Sequence, residues 1–96
     1  MVAGGFDSVG RYLLTVSHSG RGVFDTETWR RIARDPLPTY PENGEILGIG
    51  PLAGMRIPIY EMNYDTETLA FASPDGSILV SYSEGTMTIE AHKNEN

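Results

Sequence analysis

The stretch over residues 69–91, LAFASPDGSILVSYSEGTMTIEA, constrains the fold of this chain more than any other. Apolar and polar residues alternate through 69–72, 77–82 and 86–91, and Ser-Pro-Asp-Gly and Ser-Glu-Gly separate the runs. Such alternation marks half-buried strands and such separators are turn chemistry, so the stretch predicts a three-stranded antiparallel meander. In its last strand the pleat puts Met87, Ile89 and Ala91 on one face and Thr86, Thr88 and Glu90 on the other. The middle run groups Ile78, Val80 and Tyr82 but carries Leu79 on its opposite face, which predicts a central position. Pro74 presets φ at the first central turn position and Gly76 accepts the φ that follows, so Asp75 reads as a turn residue.

At 96 residues the chain is expected to form a single domain, 1–96, with no linker. Hydrophobic residues at 40% and charged residues at 21% place it with globular rather than disordered chains. No apolar run approaches the roughly 18–20 residues of a membrane span. The N-terminus lacks the basic start and apolar core of a signal peptide, so a cytoplasmic location is expected. The absence of cysteine excludes disulfides, thiolate metal sites and a cysteine nucleophile, and fits a reducing compartment. A net charge of −6, with Lys93 the only lysine, argues against a nucleic-acid partner. The charge is lopsided: residues 1–36 hold five arginines against four acids, and residues 37–96 hold two basic residues against nine acids. Such a split can orient an encounter with a charged partner.

Residues 1–7 are small and Gly-rich and read as a loosely held arm or a partial first strand. Tyr12, Leu14 and Val16 then alternate with Leu13, Thr15 and Ser17, and residues 17–22 turn the chain into Val23 and Phe24, which makes a hairpin. This hairpin repeats the later meander: Asp7-Ser8-Val9-Gly10 stands where Pro74-Asp75-Gly76 does, Leu13-Leu14 matches Leu79-Val80, Ser17 matches Ser83, Gly20 matches Gly85, and Phe24-Asp25 matches Ile89-Glu90. A second echo sets Phe24-Asp25-Thr26-Glu27-Thr28-Trp29 against Tyr64-Asp65-Thr66-Glu67-Thr68-Leu69, 40 residues on. Repeats of about this length mark stacked supersecondary units.

With its Ser-Pro-Asp-Gly turn between two strands and a Gly-containing turn into a third, the run 71–89 resembles a blade of a WD-repeat-type β-propeller. The likeness covers about half of the chain, counting the degenerate copy at 7–29. Ile89-Glu90 stands in place of the family's Trp-Asp ending, and two copies fall short of the roughly four blades that close a propeller. The resemblance therefore implies blade-like strand-turn-strand units reused in a small sheet, and it carries no active site.

Asp25-Thr26-Glu27-Thr28 offers N-cap candidates, after which Trp29, Ile32 and Ala33 share one helical face and Arg30, Arg31 and Arg34 the other. A short helix over 26–34, pinned to the sheet by Trp29 and closed by Asp35-Pro36, is the expectation, with a fourth blade strand as the competing reading. Four prolines and four glycines over 36–54 predict a long ordered loop or a pair of turns. Residues 56–62 read as a strand with Ile57 and Ile59 inward and Pro58 marking an edge. The polar tail 92–96 is expected to fray.

The candidate chemistry is sparse. Gly48-Ile49-Gly50-Pro51-Leu52-Ala53-Gly54 lacks the following helix and the Lys-Ser or Lys-Thr of a phosphate loop, so it reads as a backbone turn. Ser17-His18-Ser19 with nearby Asp25 has the residue types of a catalytic triad, but neighbours in a strand point to opposite faces. Two histidines, His18 and His92, make a zinc site unfavourable, and 64–69 lacks the glycine of a calcium loop. No metal or cofactor is therefore assigned.

The fold expected is mainly β: an antiparallel meander sheet of about six strands built from two blade-like repeats, with one short helix. The function expected is a small cytoplasmic non-enzymatic interaction module, with Arg21, Arg30, Arg31 and Arg34 as the binding residues. An acidic protein is the expected partner because the arginine fork takes carboxylates bidentately, and a homodimer through open sheet edges is the second. Self-compensation, with Arg31 and Arg34 paired to Glu27, Asp35 or the acidic second half, is the competing reading of the arginines. The competing function is a ligand-binding or hydrolase-like enzyme using Ser17, His18 and Arg21.

Overall fold

A computed structural model describes residues 2–37 and 39–91. Strands β1 (Ala3–Phe6), β2 (Tyr12–Ser17), β3 (Gly20–Asp25) and β4 (Arg31–Asp35) follow one another as an antiparallel meander. Next, β5 (Glu45–Leu47) and β6 (Arg56–Pro58) pair with each other across the 3-10 turn Gly50–Leu52. Strand β7 (Tyr60–Glu61) returns to the far side of β1, so the first sheet reads β4-β3-β2-β1-β7. Finally β8 (Thr68–Ala72), β9 (Ile78–Ser83) and β10 (Thr86–Ala91) form a three-stranded sheet with β9 in the middle. The protein is mainly antiparallel β, as the alternation predicted, and its strands are divided among three open sheets that do not close into a propeller.

The five-stranded sheet has a core on each side. Leu14, Val16 and Val23 face Ile46, Leu52 and Ile57 of the β5–β6 unit. On the other face Phe6 and Leu13 meet Leu69, Phe71 and Val80 of the three-stranded sheet. Of the two readings of residues 1–7, the strand holds and the loose arm does not: β1 lies between β2 and β7 and is buried along its whole length. Two glycines make that position accessible. A Cβ on Gly4 would lie 2.6 Å from the Phe71 ring, and one on Gly5 would run into the Pro58 carbonyl oxygen.

The helix expected over 26–34 does not form. Asp25 accepts the Glu27 N–H at Oδ1 (2.8 Å) and the Trp29 N–H at its carbonyl (2.7 Å), and its own N–H donates to the Arg30 carbonyl (3.0 Å). Trp29 adopts a left-handed φ of 57°, and the chain reverses into β4. The capping side chain thus closes a single turn, a use that Asp has as readily as helix initiation. Trp29 packs half-buried against the second core from this turn rather than from a helix. Within 36–54, Asn43 and Gly44 (φ 56° and 74°) make the two-residue turn into β5. The tail 92–96 lies outside the described residues.

The repeat is real in three dimensions, with a better alignment than the letters suggested. The meander β1-β2-β3 recurs as β8-β9-β10 at a constant offset of 66 residues: Phe6 pairs Leu13 as Ala72 pairs Leu79, and Ser17 pairs Gly20 as Ser83 pairs Thr86. Gly20 therefore matches Thr86 and not Gly85, and Val23 rather than Phe24 matches Ile89. The corners share their hydrogen-bond pattern. Tyr12 N–H donates to Asp7 Oδ1 (3.0 Å) as Ile78 N–H donates to Ser73 Oγ (3.1 Å), and these are the two buried polar residues of the described chain. The Asp-Thr-Glu-Thr echo is likewise displaced: Asn63, not Asp65, does what Asp25 does, accepting the Asp65 N–H (3.0 Å) and closing on Thr68.

In the second corner the Ser73 hydroxyl donates a hydrogen bond to Asp75 Oδ1 (2.8 Å). Asp75 is held down at a pKa of about 2 by the Ser77 backbone N–H first, then by the Ser77 and Ser73 hydroxyls. Because the folded value lies below the ordinary 3.8, the stabilisation is complete above about pH 4 and is lost as pH falls toward about 2. Thermal melts stepped through that window should show the loss, and Asp75→Asn should flatten it. Gly5→Ala is expected to cost about 1–3 kcal/mol, since a backbone carbonyl cannot rotate out of the way of a new methyl. A denaturant titration measures it.

Candidate functional site

Strand β4 gathers the arginines by a route other than helical periodicity. Val23 pairs with Ala33 and Gly22 with Arg34, but Phe24 pairs with Arg31, so one extra residue is accommodated opposite Val23 and Phe24. This bulge returns Arg31 to the face that carries Arg34, although their spacing in a regular strand would put them on opposite sides. A Cβ on Gly22 would touch Thr15 Oγ1 at 3.2 Å and Arg31 Cδ at 3.5 Å, which places both side chains over that glycine. The result is a shallow polar pocket of about 120 Å³, with Gly20 and Gly22 as floor and Thr15, Ser17, Ser19, Arg31 and Arg34 among its walls.

The four sequence-predicted binding residues separate into two roles. Arg21 borders the same pocket but its guanidinium serves the fold: Nη1 donates to the Leu47 carbonyl (2.6 Å) and Nη2 to Asp35 Oδ2 (2.9 Å). Its side chain is only 10% exposed, so it ties β3 to both β4 and β5 from within. Arg30 is exposed in the segment before β4, its N–H donating to Thr28 Oγ1 (3.3 Å). Arg31 and Arg34 remain on the open face.

Glu27 and Asp35, the two acids named for neutralising them, are engaged elsewhere. Glu27 pairs with Arg11 (3.2 Å) and Asp35 with Arg21 (2.9 Å), while Glu45 pairs with Arg56 (3.5 Å). Among the described residues, Arg30, Arg31 and Arg34 have no ion pair. Among the described residues, Arg31 and Arg34 are therefore not self-compensated.

Ser17, His18 and Arg21 do not converge. Ser17 Oγ shares a hydrogen bond with Ser19 Oγ (2.8 Å) and accepts the Ser19 N–H (3.3 Å). Ser17 borders both the arginine pocket, with Arg21, and a second hollow, with His18, Val2, Tyr40 and Tyr64, but His18 does not border the arginine pocket and neither hollow holds all three. Sequence reasoning missed Thr15 and the glycine floor. The signal available was Gly20-Arg21-Gly22, which leaves two successive positions on one face of a strand without side chains.

Comparison with protein-family models, with curated proteins and with solved structures finds no match to this chain.

Removing the Arg21 side chain leaves Asp35 and the Leu47 carbonyl without their donor. Arg21→Ala is expected to destabilise the protein by about 2–3 kcal/mol, the scale of hydrogen bonds to charged groups. Chemical denaturation checks it.

Proposed function

We propose that the protein is a small non-enzymatic interaction module that docks an acidic partner on the face of β4. The observation that carries this reading is the pair Arg31 and Arg34, without ion-pair partners, set over a glycine floor and flanked by the hydroxyls of Thr15, Ser17 and Ser19. A guanidinium fork takes a carboxylate through two parallel N–H bonds, and neighbouring hydroxyls donate to the remaining lone pairs. Arg30 adds charge at the margin of this face, where it speeds encounter more than it adds affinity.

The meanders serve as a scaffold in this reading, much as the blades of a WD-repeat propeller do, and the chemistry resides in what their strands display. The lack of cysteine accords with a reducing, cytoplasmic setting. Among the described residues no helix is long and apolar enough to cross a membrane.

Fluorescence polarisation with a labelled Glu-rich peptide, against a Lys-rich control, tests the reading. Binding should weaken with salt, and the double change Arg31→Ala with Arg34→Ala should weaken it about tenfold or more, ~1.4 kcal/mol, with an unchanged melting temperature. Equal binding of the two peptides, or intact binding by the folded double variant, would overturn it.

A further inference from the structure

The internal repeat is complete on one side and open on the other. In the first copy the third strand, β3, carries β4 along its outer edge. Its counterpart β10 has no fourth strand among the described residues. The molecule's other edges are blunted by recognisable devices. Strand β4 has a bulge, arginines and the following Pro36; β7 is two residues long; β5 is three residues long; β6 ends on Pro58; and β8 lies against β7 and β1. Strand β10 has none of these: it runs six residues in unbroken register, without proline, lysine or bulge. Natural sheets rarely leave such an edge unpaired.

The ladder says which groups the edge offers. Glu84 and Gly85 (φ 52° and 79°) form a two-residue turn, so the closing pair Ser83 and Thr86 is a hydrogen-bonded one. Thr86, Thr88 and Glu90 therefore direct their backbone groups to β9, and Met87, Ile89 and Ala91 direct theirs outward.

We propose that β10 pairs antiparallel with β10 of a second copy of this chain about a twofold axis, with Ile89 opposite the partner's Ile89. In that register Met87 lies opposite the partner's Ala91 and Glu90 opposite the partner's Thr88, so no like charges meet. All the outward groups of Met87, Ile89 and Ala91 are satisfied. The half-buried Met87 and Ile89 and the exposed Ala91 become one apolar row across a continuous six-stranded sheet. The pairing is isologous and stops at the dimer. A single strand edge buries less than the roughly 1,200 Å² of a standard interface, so the dimer is a weak one that forms at high protein concentration.

Backbone amide exchange by NMR at low and high protein concentration, run beside sedimentation equilibrium, tests this. Exchange at Met87 and Ile89 should slow as the dimer fraction rises, while Thr86 and Thr88 stay equally protected throughout because their donors are bonded within the protomer. Ala91→Pro removes one outward donor at an exposed position without touching the β9 ladder, and should lower the dimer fraction. A monomer across the range, a dimer whose Met87 and Ile89 amides exchange as in the monomer, or an open series of higher oligomers would each overturn the proposal. So would a folded Ala91→Pro variant that dimerises as the original chain does. Should that variant not fold, the amide readout on the original chain decides alone.

Discussion

Two missing side chains at Gly4 and Gly5 let three layers share one strand. Strand β1 lies in the plane of the five-stranded sheet with the Phe71 ring against one face and the Pro58 carbonyl against the other. A methyl group on either residue would push a layer away. Phe71 then stacks on Tyr60 (5.7 Å) and meets Phe6 edge-on (5.6 Å), so one ring links β1, β7 and β8. The glycines cost backbone entropy, which the buried aromatic contacts offset.

The rest of the architecture places the arginine face as a by-product of covering that strand. One side of the five-stranded sheet is occupied by the β5–β6 unit, and the three-stranded sheet covers only the end of the other side that carries Phe6 and Leu13. Thr15, Ser17, Gly22, Arg31 and Arg34 lie beyond that cover. Arg21, one residue from Gly22 and on the opposite face, is drawn into the first layer contact instead, with Asp35 and the Leu47 carbonyl as its partners. Neighbouring arginines thus have opposite fates because a strand alternates its sides.

Equivalent positions in the two meanders show how the same corner is built from different letters. Asp7 accepts the Tyr12 N–H directly; Ser73 accepts the Ile78 N–H and donates its hydroxyl hydrogen bond to Asp75. Both satisfy a buried amide that would otherwise cost about 1–3 kcal/mol. Sequence letters align poorly here because the requirement is an acceptor at one point in space, which a carboxylate or a serine meets equally.

What the sequence determined by itself was local. Alternation over 69–91 and 12–24, together with Pro74, Gly76 and Gly85, set the strands and turns of both meanders, because a pleat and a turn are decided by residues close in the chain. Ile57 and Ile59 were legible as inward-facing for the same reason. Segment 26–34 was not, since its pattern suits either a helix or a strand, and pairing of Val23 with Ala33 is a non-local contact that only the assembled sheet supplies. The bulge that brings Arg31 beside Arg34, the engagement of Glu27 and Asp35 by other arginines, and the pairing of β7 with β1 were likewise decided by tertiary structure. Each depends on which distant partner reaches a given group first, a competition that spacing along the chain does not encode.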